Sequence, residues 1–211
     1  MADCAPRSSM DPFLLLALAK GLDEGLVPAL LDPTLDPTTI LAAAPDAPCI
    51  AALPPRVRAR LANRTALELA AAEALRAADR MGMECLTPAS AAWPPHLTRM
   101  PLRPLVLFVR GDPGALWREP ALTLVGSRTP TPYGLHAAGV FADALASAGI
   151  VLWSGLARGV DHSAHVACTQ KRLPTVAILA GAVDAIYPPE HGDLAAAILE
   201  HGGCIVSELP P

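Results

Sequence analysis

From Ala121 onward the chain repeats one unit: a short apolar run, a loop, then a segment of helix length. "ALTLVG" precedes "YGLHAAGVFADALASAG", "IVLWSG" precedes "VDHSAHVACTQK", "TVAILAG" precedes "HGDLAAAILEHG", and "CIVSEL" closes the series. The runs recur at a pitch of about 27 residues, enough for a strand, a crossover helix and the return to a parallel neighbour. Near-continuous apolar strands suit a parallel sheet that helices cover on both faces. The expected fold class is therefore α/β, a Rossmann-like doubly wound parallel sheet. Such a sheet ordinarily continues beyond four strands, so the domain reads as truncated on its C-terminal side after "SELPP".

The first half is patterned as small helices. "DPFLLLALAKG" places an Asp before Pro12 and ends on Gly21, and "LDPTLDPTTILAAAP" offers Thr34 or Asp36 as the cap of a short helix. Arg56 to Leu61 reads as a short basic helix. "TALELAAAEALRAADRMG" has Thr65 and Glu68 at capping-box spacing and Gly82 as its stop. A small all-helical domain is expected over residues 1–82 and the α/β domain over 83–211. At the start of the latter, "ECLTP" and "LVLFVRG" read as strands and "WPPHL" as a connector.

Charge narrows the function. A formal net charge of −4 argues against binding polyanions over the whole surface, so any anion site must be local. Residues 121–180 carry Arg128, Arg158, Lys171 and Arg172 against Asp143 and Asp161, whereas residues 181–211 carry acids and no base. The bases at Arg56, Arg58, Arg60 and Arg64 read as a solvated face. Cys4, Cys49, Cys85, Cys168 and Cys204 are scattered and never spaced CxxC, which points to reduced thiols in a cytoplasmic protein. The apolar run Phe13 to Ala19 is too short to span a bilayer, so no membrane association is expected.

In a sheet of this kind ligands bind outside the carboxyl ends of the strands. The first loop there holds Gly126, Ser127 and Arg128: a close backbone approach, a hydroxyl, and a guanidinium able to grip a phosphate with two parallel bonds. A helix starting near Pro132 to Gly134 points its positive end the same way. The second loop, "SGLARGVD", repeats the chemistry with Ser154, Gly155, Ala157, Arg158 and Gly159. The third, "AGAVDAIYPPEHG", brings Tyr187, either to stack on a base or to pack on Pro188.

Other chemistries lack their residues. GxGxxG and GxxxxGK[ST] are absent, Ser127 and Ser154 stand outside any GxSxG elbow, and His162 with His165 has no HExxH partner. We therefore expect no catalytic residue, no metal and no cofactor. A Rossmann-like hydrolase acting on nucleoside monophosphates would use the same phosphate cradle and is the alternative reading. The Gly-Gly-rich loop and catalytic Glu of such enzymes have no match here.

"LVGSRTPTPYG", "SGLARGVDHSAH", "AILAGAVDAIYPPEH" and "CIVSELPP", in that order and spacing, resemble the DNA-processing protein A family, also called Smf, with "WPPHL" and "PLVLFVRGDPGAL" lying upstream as its lead-in does. Residues 11–80 resemble more weakly its small N-terminal domain of sterile-alpha-motif or helix-hairpin-helix type. The resemblance implies a non-enzymatic protein that binds single-stranded DNA without sequence preference, protects incoming DNA in natural transformation, loads a RecA-type recombinase and forms a homodimer. Its DNA pocket falls on Gly126, Ser127, Arg128, Ser154, Gly155, Ala157, Arg158 and Gly159. Two departures stand out: His191 and Gly192 follow "YPPE" where relatives commonly carry Asn and a nearby base, and the family's arginine-rich segment after "SELPP" is absent from the sequence.

Overall fold

Asp11 opens the first helix, α1 (Pro12–Lys20), by accepting hydrogen bonds from the backbone N–H groups of Phe13 and Leu14 at 2.8 and 3.2 Å. The structure, a computed structural model, describes residues 10–21, 28–31, 34 and 36–211; Cys4 lies outside them. These residues fall into two units, one comprising residues up to 76 with 87–106, the other residues 77–86 with 107–211.

The first unit is helical. α2 (Pro28–Leu31), α3 (Pro37–Ala42), α4 (Pro48–Ala51) and α5 (Pro55–Ala62) follow α1. Asp36 caps α3, accepting from Thr38 N–H at 3.0 Å. Part of the proline content is explained here: Pro12, Pro37, Pro48 and Pro55 each stand at a first helical position, where a missing N–H costs nothing. The core gathers Leu16, Leu30, Ile40, Ile50, Leu53, Val57 and Leu105. Arg60 Nη1 donates to the Ala19 and Lys20 carbonyls at 3.3 and 3.0 Å, satisfying the end of α1, so this arginine is structural.

One cap differs from expectation. α6 (Arg64–Arg80) begins two residues earlier than a Thr65 cap requires, because Asn63 Oδ1 accepts from Ala66 N–H at 3.2 Å. Thr65 is therefore inside the helix, and Glu68 pairs with Arg64 at 2.8 Å instead of closing a capping box. Gly82, at φ +62°, ends the segment. The connector "WPPHL" contains a short helix, α7 (Pro95–Thr98).

The second unit is a six-stranded sheet: β1 (Met83–Leu86), β2 (Leu107–Gly111), β3 (Ala121–Thr123), β4 (Val151–Ser154), β5 (Thr175–Ile178) and β6 (Cys204–Ser207) in the order β1-β2-β6-β5-β4-β3. The last four strands are mutually parallel, and β2 lies antiparallel to both β6 and β1. The Rossmann-like α/β class is as expected, with a parallel-dominant rather than wholly parallel sheet. The crossovers α8 (Pro132–Ser147), α9 (Val160–Gln170) and α10 (Gly192–Glu200) step in one direction across the sheet, and α9 packs against both of its neighbours. Crossovers of one hand that step in one direction share a layer. Ala142 and Ala146 meet Ala164, Ala167 and Cys168 beneath them, small side chains that let α8 and α9 approach closely. Strand β3 departs from the fully buried pattern: all its residues are exposed, Leu122 to 41%, because it is the edge strand.

Three buried groups record how dry this core is. Burial pushes the Cys204 thiol up to about 12 and raises that of Cys168. His165 is wholly enclosed; its Nδ1 lies 3.0 Å from Thr175 Oγ1, whose own proton goes to the Leu152 carbonyl at 2.6 Å, so Nδ1 carries the hydrogen. Burial pushes the His165 pKa down to about 3, only partly offset by the Ser154 carbonyl. An unfolded imidazole near 6.5 takes its proton first as pH falls, so the stability from keeping the ring neutral is complete above about 6.5 and lost towards about 3. We expect a contribution to the slope of up to about 1.4 kcal/mol per pH unit in that window. Urea unfolding of the wild type and His165→Gln between about pH 7 and about pH 4 checks this: the wild type loses stability more steeply, and parallel curves contradict the assignment.

Candidate functional site

The carboxyl ends of β3, β4 and β5 lie side by side, so the loops that follow them share one edge of the sheet. The first two are fused. Val160 N–H donates to the Ser127 carbonyl at 3.2 Å, and Ser154 Oγ donates to the Leu124 carbonyl at 2.6 Å. Two glycines allow this approach. A Cβ on residue 126 would stand 2.7 Å from Val160 Cγ2, and one on residue 159 would run into the Ser127 carbonyl and lie 2.8 Å from Pro130 Cδ. Gly159 also sits at φ +79°, a backbone state that other residues rarely adopt. The third loop is tied to the second by His191, whose buried Nδ1–H donates to the Leu156 carbonyl at 2.8 Å.

Together they leave a cleft of about 100 Å³ lined by Arg128 from the first loop, Gly155, Ala157 and Arg158 from the second, and Leu179 to Gly181, Ala185, Tyr187 and Pro188 from the third. Four residues singled out from the sequence thus reach the cleft wall. The other four stand behind it. Gly126 and Gly159 make the loop contact, Ser127 Oγ accepts from Thr129 N–H at 3.1 Å, and the Ser154 hydroxyl is buried against Leu124. The Gly155 N–H is also engaged, donating to Asp161 Oδ2 at 3.1 Å. Thr131 caps α8 by accepting from Gly134 N–H at 3.1 Å.

The two arginines differ in state. Arg128 is exposed and makes no ion pair among the described residues. Arg158 Nε and Nη2 both donate to Glu190 Oε1, at 2.6 and 2.5 Å, and its Cζ lies 6.0 Å from the Tyr187 ring centroid. Glu190 and then Tyr187 raise the Arg158 pKa; the Glu190 carboxyl is lowered by its own backbone N–H and by Arg158. Tyr187 is 65% exposed at the rim. Behind the loop, the rings of His162 and His191 stack at 4.8 Å, and burial followed by His191 lowers the His162 pKa. Sequence reasoning overlooked Glu190; its signal was an acid in "YPPEH" facing a loop whose only charged tip is Arg158. Among the described residues no group of three or more His, Cys, Asp or Glu side chains could hold a metal, and no helix is long and apolar enough to cross a membrane.

The sequence profile of the family described as DNA recombination-mediator protein A matches residues 84–211. Protein Smf of Escherichia coli (strain K12) is 40% identical over 121 residues, 57% of this chain and 32% of that protein. DNA processing protein DprA of Bacillus subtilis (strain 168) is 32% identical over 137 residues, 65% of this chain and 46% of that protein. The chain therefore spans less than half the length of these curated relatives. The X-ray structure of DNA processing protein A from Streptococcus pneumoniae shares the fold, with a TM-score of 0.62 at 21% identity over 97% of this chain and 65% of that one. DNA processing protein A from Helicobacter pylori, solved for its single-stranded DNA binding mode, aligns with a TM-score of 0.51 at 28% identity over 61% of this chain and 56% of that one.

The fused loops carry a stability prediction. Gly159→Ala forces a Cβ into a backbone carbonyl at positive φ and should cost about 1–3 kcal/mol or more in denaturant unfolding. Gly181→Ala, on the same cleft wall with open space around it, should stay within about 0.5 kcal/mol of wild type. Equal stability of the two variants contradicts the loop fusion.

Proposed function

The chain belongs to the DNA recombination-mediator protein A family, and from that premise we propose that it binds single-stranded DNA through the cleft at the ends of β3, β4 and β5. The observation that carries this reading is that Arg128 and Arg158, 30 positions apart in sequence, line one opening. Arginine grips phosphate with two parallel hydrogen bonds, and two such groups suit successive phosphates of a flexible strand. Gly155 and Ala157 keep the wall low enough for the backbone to approach. Gly126, Ser127, Ser154 and Gly159 hold the two loops in register.

The small cleft favours an unpaired strand, whose bases are free to turn outward; Tyr187 offers a stacking face that tolerates any base. No step of bond making is assigned to the site, and the carboxylate nearest the arginines, Glu190, pairs with Arg158 in the free protein. Protection of DNA during transformation, delivery of a RecA-type recombinase, homodimerisation and a cytoplasmic location belong to this same proposal and rest on the likeness to longer relatives. The H. pylori protein, which has a single-stranded DNA binding mode, supports the choice of ligand.

The test is a salt titration. Arg128→Ala and Arg158→Ala should each weaken a labelled oligo-dT and an oligo-dA by a common factor and flatten the slope of log K against log salt by about 0.7. Unchanged slopes in both variants, or release of free base from nucleoside monophosphates, contradict the reading.

A further inference from the structure

We propose that Glu190 is a built-in competitor of phosphate. It occupies Arg158 in the free protein and yields it to a strand that engages Arg128 at the same time, so the cleft favours polymeric over single phosphate groups. The inference rests on the reading of the cleft as a phosphate site.

The geometry is competitive. Glu190 Oε1 takes both Nε and Nη2 of Arg158, the edge of the guanidinium that a phosphate would take. Carboxylate and phosphate cannot both hold that edge. The pair is also displaceable: its side chains are 52% and 51% exposed, and exposed ion pairs are weak because water competes for both partners.

The contact is built into the fold. Glu190 sits in a 3-10 turn, Pro189–His191, and the next residue, His191, is buried with its Nδ1–H on the Leu156 carbonyl, two positions before Arg158. The carboxylate is thus carried on a segment bonded to the arginine's own loop. The Tyr187 ring centroid lies 6.0 Å from the Arg158 guanidinium carbon.

Arg128, with no ion pair among the described residues, is open to the first phosphate. A lone phosphate gains only that contact unless it displaces Glu190. A strand already held at Arg128 presents its next phosphate at high local concentration and displaces the carboxylate readily.

The experiment uses the full chain, a fluorescent oligo-dT at low salt, and inorganic phosphate as the competing monomer, with far-UV circular dichroism to verify folding. Glu190→Gln should bind the oligonucleotide about threefold to fivefold more tightly, and phosphate should displace it from the variant more effectively relative to wild type. Glu190→Asp, which keeps the charge, should stay close to wild type. In an Arg158→Ala background, Glu190→Gln should change affinity by less than about twofold, the mark of a coupled pair.

Three results overturn the inference while leaving the cleft reading intact, provided Arg158→Ala still weakens binding: no effect of Glu190→Gln, a loss that matches Arg158→Ala, or a gain that persists without Arg158. Full affinity in both Arg128→Ala and Arg158→Ala overturns the cleft reading and this inference together.

Discussion

The closeness of two loops governs everything at this end of the sheet. The Ser127 carbonyl accepts the Val160 N–H in a space that exists only because residues 126 and 159 have no side chain. A single Cβ there would separate the loops, and the arginines they carry would no longer line one opening. The buried Ser154 hydroxyl on the Leu124 carbonyl makes a second staple, and His191 on the Leu156 carbonyl a third. The Ser154 and His191 side chains are buried, and buried hydrogen bonds are costly to break, which is why flexible guanidinium groups can be presented from a fixed base.

The sheet supplies that base. Parallel strands bring successive carboxyl ends to the same edge, and α8 and α9 bury a layer of small side chains against β4. Inside this layer Thr175 links His165 Nδ1 to the Leu152 carbonyl, the ring's Nε2 makes no hydrogen bond, and burial keeps the imidazole uncharged. Charge is confined to the rim, where Arg128 is unpaired among the described residues and Arg158 is shared with Glu190. An acidic protein can therefore present a local anion site without a basic surface.

Much of this was legible in the chain. The repeat from Ala121 marked four strands and three crossovers, because strand and helix periods are local properties, and the Asp11 and Asp36 caps follow from side chains that bond the nearest N–H groups. Most of what escaped was non-local. Asn63, not Thr65, caps α6, a choice set by where the helix enters. Ser154 looked like a ligand from its place beside Gly155, but the distance to Leu124 decides that its hydroxyl turns inward. The pairing of β2 with β6, and of Arg158 with Glu190, joins residues far apart in sequence with no periodic trace. The exposure of β3 depends on its place in the strand order.

The most direct measurement is arginine side-chain NMR, following the Nε–Hε signals during titration with an oligo-dT. Arg128 and Arg158 should shift together along one binding curve, with the arginines of α5 unmoved. Shifts confined to Arg56, Arg58 and Arg60, or movement of only one of the two cleft arginines, would contradict the account.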